Sequence, residues 1–199
     1  MFWYEEEVKS IESKQVAQKV NCKHVVFYGS SSFRLWPDIE QDFPAFNVTN
    51  QAFGGSTLAA CCWYFGRLIP QHKPEVMIIY AGDNDLDNGR HPEEVFYFFK
   101  SMMALIQEHC GNIPVAFISI KPSVSRQHLM DSIAYTNTII QNEIKRIYPL
   151  CTFVNIYQDM LTNGLPDSAY FEDDGLHLNA LGYQIWKDNL TQQFLNTLS

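Results

Sequence analysis

Basic residues are scarce in this chain of 199 residues. Lysine and arginine together number 14, against 22 aspartates and glutamates, and the formal net charge is -8. Proteins that bind nucleic acids through the phosphates need clustered lysine and arginine, and this sequence has no basic stripe. The sequence therefore predicts no nucleic-acid partner.

Cysteine is also sparse and shows no organised spacing. The five cysteines are odd in number and lack the Cys-x-x-Cys or Cys/His spacing of a zinc site. Free cysteines are usually small buried apolar residues, and disulfides are rare in reducing compartments. We expect buried thiols, no disulfide framework and no cysteine-bound metal.

Long hydrophobic runs are missing as well. No apolar stretch reaches the ~20 residues that a membrane-spanning helix needs. Residues 1–14 are acidic and lack the apolar core of a secretory signal. We expect a cytoplasmic protein without membrane insertion, and either a monomer or a homodimer.

Apolar segments typical of strands alternate with longer amphipathic segments typical of helices. The predicted strands cover residues 24–28, 46–48, 75–80, 114–120 and 152–156. The predicted helices cover residues 10–20, 57–69, a segment opened by Pro92, 129–148, and a last helix capped by Asn179 and reaching about residue 195. This alternation indicates a parallel sheet with helices on both faces. No linker or repeat is evident, so residues 1–199 are predicted to form one domain.

Four loops with reactive or glycine-rich sequences follow predicted strands. They contain Ser31, residues 54–56, residues 82–85 and residues 174–177. Ligands of parallel α/β sheets bind outside the carboxyl ends of the strands. We therefore expect these four loops to meet at one edge of the sheet.

The last of these loops sets Asp174 and His177 three residues apart. A serine hydrolase needs a histidine to take a proton and an acid to orient that histidine. One alternative is a solvated loop with a surface histidine, and another is a metal site. Against a metal, no further histidine or carboxylate falls at a spacing that would complete a ligand set.

Ser31, Gly55 and Asn84 fit the other requirements of acyl transfer. A hydroxyl at the start of a helix lies among backbone N–H groups and the positive end of the helix dipole. An oxyanion needs N–H donors, which a glycine backbone and an asparagine amide can supply. The alternatives are that the serines only cap a helix and that the other two residues only form turns.

Together the four loops resemble the sequence blocks of the SGNH hydrolases, also called GDSL-type esterases and lipases. The blocks are Gly29-Ser30-Ser31, Asn50-Gln51-Ala52-Phe53-Gly54-Gly55, Gly82-Asp83-Asn84-Asp85 and Asp174-Gly175-Leu176-His177. Their order and spacing fit the family across most of the chain. One departure is that Ser30 stands where the family has aspartate in Gly-Asp-Ser. The stretch from Gly29 to Trp36 further resembles relatives of platelet-activating-factor acetylhydrolase and sugar acetylesterases.

The resemblance implies a role for each of these residues. Ser31 would be the nucleophile, His177 the base and Asp174 the residue that orients His177. The Ser31 N–H, the Gly55 N–H and the Asn84 side-chain amide would form the oxyanion hole. The implied fold is a three-layer α/β/α sandwich with a five-stranded parallel flavodoxin-like sheet. The implied activity is hydrolysis of a small-molecule ester without metal or organic cofactor.

The sequence says less about the substrate. Five large side chains flank the blocks and are candidates for a substrate pocket: Trp36, Phe53, Leu86, Tyr170 and Phe171. Because no lid insertion is evident, we expect a short acyl group, acetyl above all, on a small alcohol or sugar. A lysophospholipase or thioesterase with the same mechanism, and a non-catalytic binding module, are the alternatives.

Overall fold

A five-stranded parallel sheet forms the centre of the computed structural model, which describes residues 1–13 and 21–198. The strands, in chain order, are β1 His24–Gly29, β2 Asn47–Asn50, β3 Val76–Tyr80, β4 Val115–Ile118 and β5 Cys151–Val154. Their order in the sheet is β2-β1-β3-β4-β5, and every neighbouring pair is parallel. The predicted parallel sheet is confirmed.

Helices cover both faces of the sheet, as the alternation predicts. One face carries α1 Glu5–Glu12, α4 Leu58–Leu68, α6 Pro92–Cys110 and α7 Met130–Ile147. The other face carries the short helices α2 Ser31–Arg34 and α3 Ile39–Asp42 and the long α8 Ala180–Gln193. A short α5, Asp83–Asp87, follows β3, and Leu161–Thr162 pairs with Leu165–Pro166 as the small hairpin β6–β7. This is the three-layer α/β/α arrangement.

An apolar core rich in aromatic side chains lies between the sheet and the helices on each of its two faces. On the α4/α6 face, Phe99 of α6 meets Phe117 of β4 edge to face, with ring centroids 5.1 Å apart. On the α8 face, Trp186 lies 4.6 Å from the Tyr80 ring and is fully buried. All residues of β1 and β3 are buried, because the sheet is covered on both sides. Continuous apolar runs in these strands are therefore what the fold requires.

The first helix differs from its prediction. The prediction was a polar surface helix over residues 10–20, whereas α1 begins at Glu5 and ends at Glu12. Residues 14–20 lie outside the described residues. Val8 and Ile11 are buried in the core beside α4, so α1 is amphipathic rather than polar all round.

The last helix follows its prediction closely. The side chain of Asn179 accepts hydrogen bonds from the Leu181 and Gly182 amides, which makes it the N-cap of α8. No helix within residues 1–13 and 21–198 is long and apolar enough to cross a membrane.

Candidate active site

The junction between β1 and α2 places Ser31 at the carboxyl edge of the sheet. Gly29 adopts φ +152°, and a Cβ there would lie 1.8 Å from the carbonyl oxygen of Tyr80 on the neighbouring β3. Only glycine permits this close approach. The Ser30 amide donates to the same Tyr80 carbonyl at 2.9 Å, and Ser31 then begins α2. In a sheet of this order, ligands bind beyond the carboxyl ends of β1 and β3, where the chain leaves the two strands towards opposite faces of the sheet, and Ser31 lies there.

Ser31 differs from its two serine neighbours in its surroundings. Ser30 and Ser32 are both 1% exposed, whereas Ser31 is half-buried. The Oγ of Ser31 lies 3.1 Å from Nε2 of His177, within hydrogen-bond range. Of the three consecutive serines, the geometry therefore selects Ser31 as the partner of the imidazole.

The other side of the His177 ring contacts Asp174. The Nδ1 atom lies 2.6 Å from Oδ2 of Asp174, and the Asp174 Oδ1 accepts from the amides of Leu176 and His177 at 2.8 and 2.9 Å. An ionised carboxylate can only accept, so Nδ1 carries the ring proton and Nε2 presents its lone pair to Ser31.

Asp174 is ionised over the whole ordinary pH range. Partial burial opposes ionisation, but the hydrogen bonds from the amide and ring of His177 and from the Leu176 amide outweigh it. Together they lower the pKa of Asp174 to about 2. The carboxylate therefore stays charged and keeps orienting the imidazole.

The predicted oxyanion donors lie on loops that are tied to β1. Ser56 Oγ donates to the Gly29 carbonyl at 2.8 Å, and Asn84 Nδ2 donates to the Ser56 carbonyl at 3.0 Å. These two bonds connect the loops of Gly55 and Asn84 to the strand that leads into Ser31. In the described part of the chain, the amides of Ser31 and Gly55 have no acceptor. The second Nδ2 hydrogen of Asn84 likewise has none, so three N–H donors are available.

The orientation of the Asn84 amide is fixed from behind by Arg126. Nη2 of Arg126 donates to Oδ1 of Asn84 at 2.8 Å and to Asp87 at 2.9 Å. Because a guanidinium only donates, it selects the carbonyl end of the amide and leaves the Nδ2 end turned the other way. The positive charge also polarises the amide and strengthens its remaining N–H as a donor.

A buried charge cluster supports this contact. Asp83 lies 3.0 Å from Lys121 Nζ and 3.2 Å from Arg126 Nη1, and all three side chains are at most 10% exposed. Burial opposes the ionisation of Asp83, but Lys121 and Arg126 outweigh it and lower the pKa of Asp83 below its ordinary value. The cluster therefore contains one anion between two cations.

Asp85 ties the same loop to α4. This buried carboxylate accepts from the Leu58 amide at 2.6 Å and the Ala59 amide at 3.4 Å, and Arg90 lies 3.2 Å away. Burial raises the pKa of Asp85 to about 6, against the opposing hydrogen bonds and the charge of Arg90. Asp85 thus has a structural position beside the predicted oxyanion donor.

The structure does not expose most of the predicted pocket side chains. Tyr170 is half-buried, but the other four lie in the two cores, each at most 6% exposed: Trp36, Phe53, Leu86 and Phe171. The reason is packing. For example, Trp36 stacks near Tyr183 and donates to Asp42 at 2.7 Å. These four side chains pack behind the loops, and little of their surface is left to contact a substrate.

Sequence reasoning missed several residues around the site, among them Lys121, Arg126, Tyr4 and Glu7. A charged residue just after β4, at the carboxyl edge of the sheet, was a usable signal for Lys121. The other three come from loops and a helix whose positions only tertiary structure defines. Among the residues that the structure describes, no group of three or more histidines, cysteines or carboxylates could hold a metal ion.

Comparison with known structures supports the fold. A candidate acylhydrolase from Bacteroides fragilis superposes with a TM-score of 0.82 at 21% identity, covering 98% of this chain and 97% of that one. A GDSL-like lipase from Bacteroides thetaiotaomicron gives 0.75 at 23% identity, with 96% and 95% covered. A carbohydrate esterase of family 3 from Talaromyces cellulolyticus gives 0.73 at 13% identity, with 88% and 97% covered. A comparison with curated proteins finds no match.

The sequence itself matches a family model over residues 25–185, a range that contains all four sequence blocks. That range covers most of the sheet and includes both Ser31 and His177. The chain therefore belongs to the GDSL-like lipase/acylhydrolase family and is a carboxylic ester hydrolase.

Proposed function

We propose that this protein is a serine esterase that removes short acyl groups, acetyl above all, from esters of a small alcohol or sugar. The observation that supports it is the unbroken chain of contacts from Ser31 Oγ through His177 to Asp174, at 3.1 and 2.6 Å. This is the arrangement that activates a hydroxyl as a nucleophile.

In the first step Ser31 Oγ attacks the ester carbonyl carbon while its proton moves to Nε2 of His177. The new C–O bond forms as the carbonyl π electrons move to the oxygen, which becomes an oxyanion. Asp174 stabilises the imidazolium through Nδ1. The amides of Ser31 and Gly55 and the side chain of Asn84 donate to the oxyanion.

Collapse of this intermediate breaks the bond to the alcohol. The alcohol leaves with the proton from His177, and an acyl ester of Ser31 remains. Water then attacks that ester, again giving its proton to His177, and the second collapse releases the carboxylic acid and restores Ser31. The cycle uses only residues of this chain and water.

The openness of the site supports a small substrate. The Asp174 side chain is 50% exposed and that of His177 is 30% exposed, so the pair lies at the surface rather than in a tunnel. Four of the five large side chains predicted at the pocket, Trp36, Phe53, Leu86 and Phe171, are packed in the cores and so do not line a channel for a long acyl chain. The structural likeness to a carbohydrate esterase agrees with a sugar ester.

The first prediction concerns the nucleophile. Ser31→Ala should lower kcat by roughly 10⁴- to 10⁶-fold, because loss of the attacking hydroxyl removes the acyl-enzyme route. The matched control is Ser30→Ala. The Ser30 hydroxyl is buried without a hydrogen-bond partner among the described residues, so its loss should leave kcat nearly unchanged. Parent-like hydrolysis of p-nitrophenyl acetate by Ser31→Ala would remove Ser31 from the mechanism.

The second prediction concerns pH. Over the range of about pH 5 to 8, activity should be lower at the acid end, because a protonated imidazole cannot accept the Ser31 proton. Asp174 adds no inflection in this range, since its pKa is about 2. Measurement of kcat/KM across this range tests it, and a flat profile would exclude His177 as the base.

Unfolding of the protein must be separated from this effect. The pKa of Asp85 is raised to about 6 by burial, so the folded state binds that proton more tightly than the unfolded chain. As the pH falls from about 6 towards 4, Asp85 therefore favours folding. Thermal unfolding at each pH gives the control: loss of activity in acid without a fall in Tm is assigned to His177.

The third prediction concerns the oxyanion hole. Asn84→Ala should lower kcat by about 10²- to 10³-fold, through loss of one donor.

Arg126→Met should lower kcat by about 10-fold, because the Asn84 amide loses its fixed orientation. If Arg126 acts through Asn84, the double variant should be no slower than Asn84→Ala alone. Independent, multiplying effects would contradict this role, and Tm values of all variants check the loss of the buried ion pairs.

The fourth prediction concerns the acyl group. Rates on p-nitrophenyl esters from acetyl to decanoyl should be highest at acetyl and fall with chain length, since Trp36, Phe53, Leu86 and Phe171 are packed in the cores and not around a longer chain. A maximum at long chains, or a higher rate on micellar lysophospholipid than on acetyl esters, would support the lysophospholipase alternative instead.

A further inference from the structure

We infer that the N-terminal segment, formed by the turn Phe2–Tyr4 and helix α1, positions the oxyanion-hole amide of Gly55, with Tyr4 and Glu7 as positioning residues. This segment lies outside residues 25–185, the range that the family model matches. The inference rests on the proposed function, because it assigns Tyr4 and Glu7 a role through the Gly55 donor.

The loop that carries this amide has little stiffness of its own. Gly54 and Gly55 are consecutive, and glycine has more backbone freedom than any other residue. Gly55 adopts φ +62°, and no heavy atom lies within 4 Å of where its Cβ would be. An amide in such a loop keeps one direction only if other parts of the protein hold the neighbouring peptide groups.

Two hydrogen bonds from the N-terminal segment meet that need. The Gly54 amide donates to Oε2 of Glu7 at 3.0 Å, and the Tyr4 hydroxyl donates to the Gly55 carbonyl at 2.9 Å. The peptide between these two groups is the one that contains the Gly55 N–H. Fixing the groups on both sides of this peptide restricts its rotation, and therefore the direction of its N–H.

The inner side of the loop is held at different points. The Phe53 amide and the Ser56 hydroxyl both donate to the Gly29 carbonyl, at 3.1 and 2.8 Å. These bonds lie before and after the glycine pair. Within the described residues, the hydrogen bonds to the glycine pair itself come from Tyr4 and Glu7.

Electrostatics strengthen the Glu7 contact. Oε1 of Glu7 lies 3.5 Å from Nε of Arg34, and Arg34 in turn packs against Gly54 so closely that a Cβ there would be 3.1 Å from Nε. The ion pair holds the Glu7 side chain against the loop, and a carboxylate acceptor makes a stronger bond to the Gly54 amide than a neutral one. Arg34 belongs to α2, the helix that begins with Ser31.

The segment is also anchored to α4 by contacts that do not touch the loop. The Tyr64 hydroxyl donates to the Met1 carbonyl at 2.8 Å, and Arg67 pairs with Glu5 and Glu12 at 3.0 and 2.7 Å. The Tyr4 ring also packs edge to face on Tyr64 of α4, with ring centroids 6.4 Å apart. Because of these anchors, single hydrogen bonds to the loop can be removed while the segment stays docked.

The experiment compares two matched pairs of variants. Tyr4→Phe and Glu7→Ala remove the bonds to the loop, whereas Tyr64→Phe and Glu12→Ala remove bonds of the same kind that hold the segment elsewhere. On p-nitrophenyl acetate, the double variant of the first pair should lose about 10-fold in kcat, part of the 10²- to 10³-fold that a lost donor costs. KM should stay within about twofold, because the oxyanion forms only in the transition state. Glu7→Gln, which keeps an acceptor for the Gly54 amide, should retain most of the activity that Glu7→Ala loses.

A second readout does not depend on activity. Amide hydrogen exchange, followed by mass spectrometry of peptides covering residues 53–57, should be faster in the Tyr4→Phe/Glu7→Ala variant and unchanged in the Tyr64→Phe/Glu12→Ala variant. Equal exchange and equal kcat in the two double variants would overturn the inference. An inactive parent protein with the predicted exchange difference would instead leave the positioning of the loop intact and remove the proposed esterase function.

Discussion

The hydrogen bond between Ser31 and His177 is the contact on which the site depends. It joins residues 146 positions apart, so no local preference of the chain can form it. What brings them together is the parallel sheet, whose carboxyl ends all lie at one edge. Ser31 follows β1 directly after the turn at Gly29. The loop that contains His177 precedes α8 and lies at the same edge of the sheet. Loss of the close approach between Gly29 and Tyr80 would move Ser31 away from the imidazole, which makes that glycine a condition for the chemistry.

Around this contact, hydrogen bonds and charged neighbours keep two carboxylates ionised. Asp174 is kept ionised by the amides and the ring from which it accepts hydrogen bonds. Behind Asn84, the buried Asp83 is kept ionised by two cations, Lys121 and Arg126. A buried ion cluster is costly to desolvate and is weak evidence for stability alone. In the proposed mechanism the cluster has a role, because it lies behind the Asn84 amide, which must point in one direction to donate to the oxyanion.

Much of this architecture could be predicted from the sequence, and the rest could not for identifiable reasons. The apolar runs of β1 and β3 and the Asn179 cap are local signals, and the structure reproduces them. The predicted start of α1 was too late because the first residues of the helix look polar, and only packing against α4 buries Val8 and Ile11. Trp36 and Phe53 were expected at a pocket because they adjoin the blocks, yet neighbours in sequence can point into a core. The contacts of Arg126 and Tyr4 join distant segments, which periodicity and spacing cannot reveal.

The most direct measurement of the central claim is labelling with a fluorophosphonate, followed by mass-spectrometric mapping of the modified peptide. The phosphorus is attacked by an activated hydroxyl, and fluoride leaves, so the adduct marks the nucleophile itself. We expect one adduct per chain, on the Oγ of Ser31. An adduct on Ser30, Ser32 or any other residue, or no adduct on the folded protein, would contradict it.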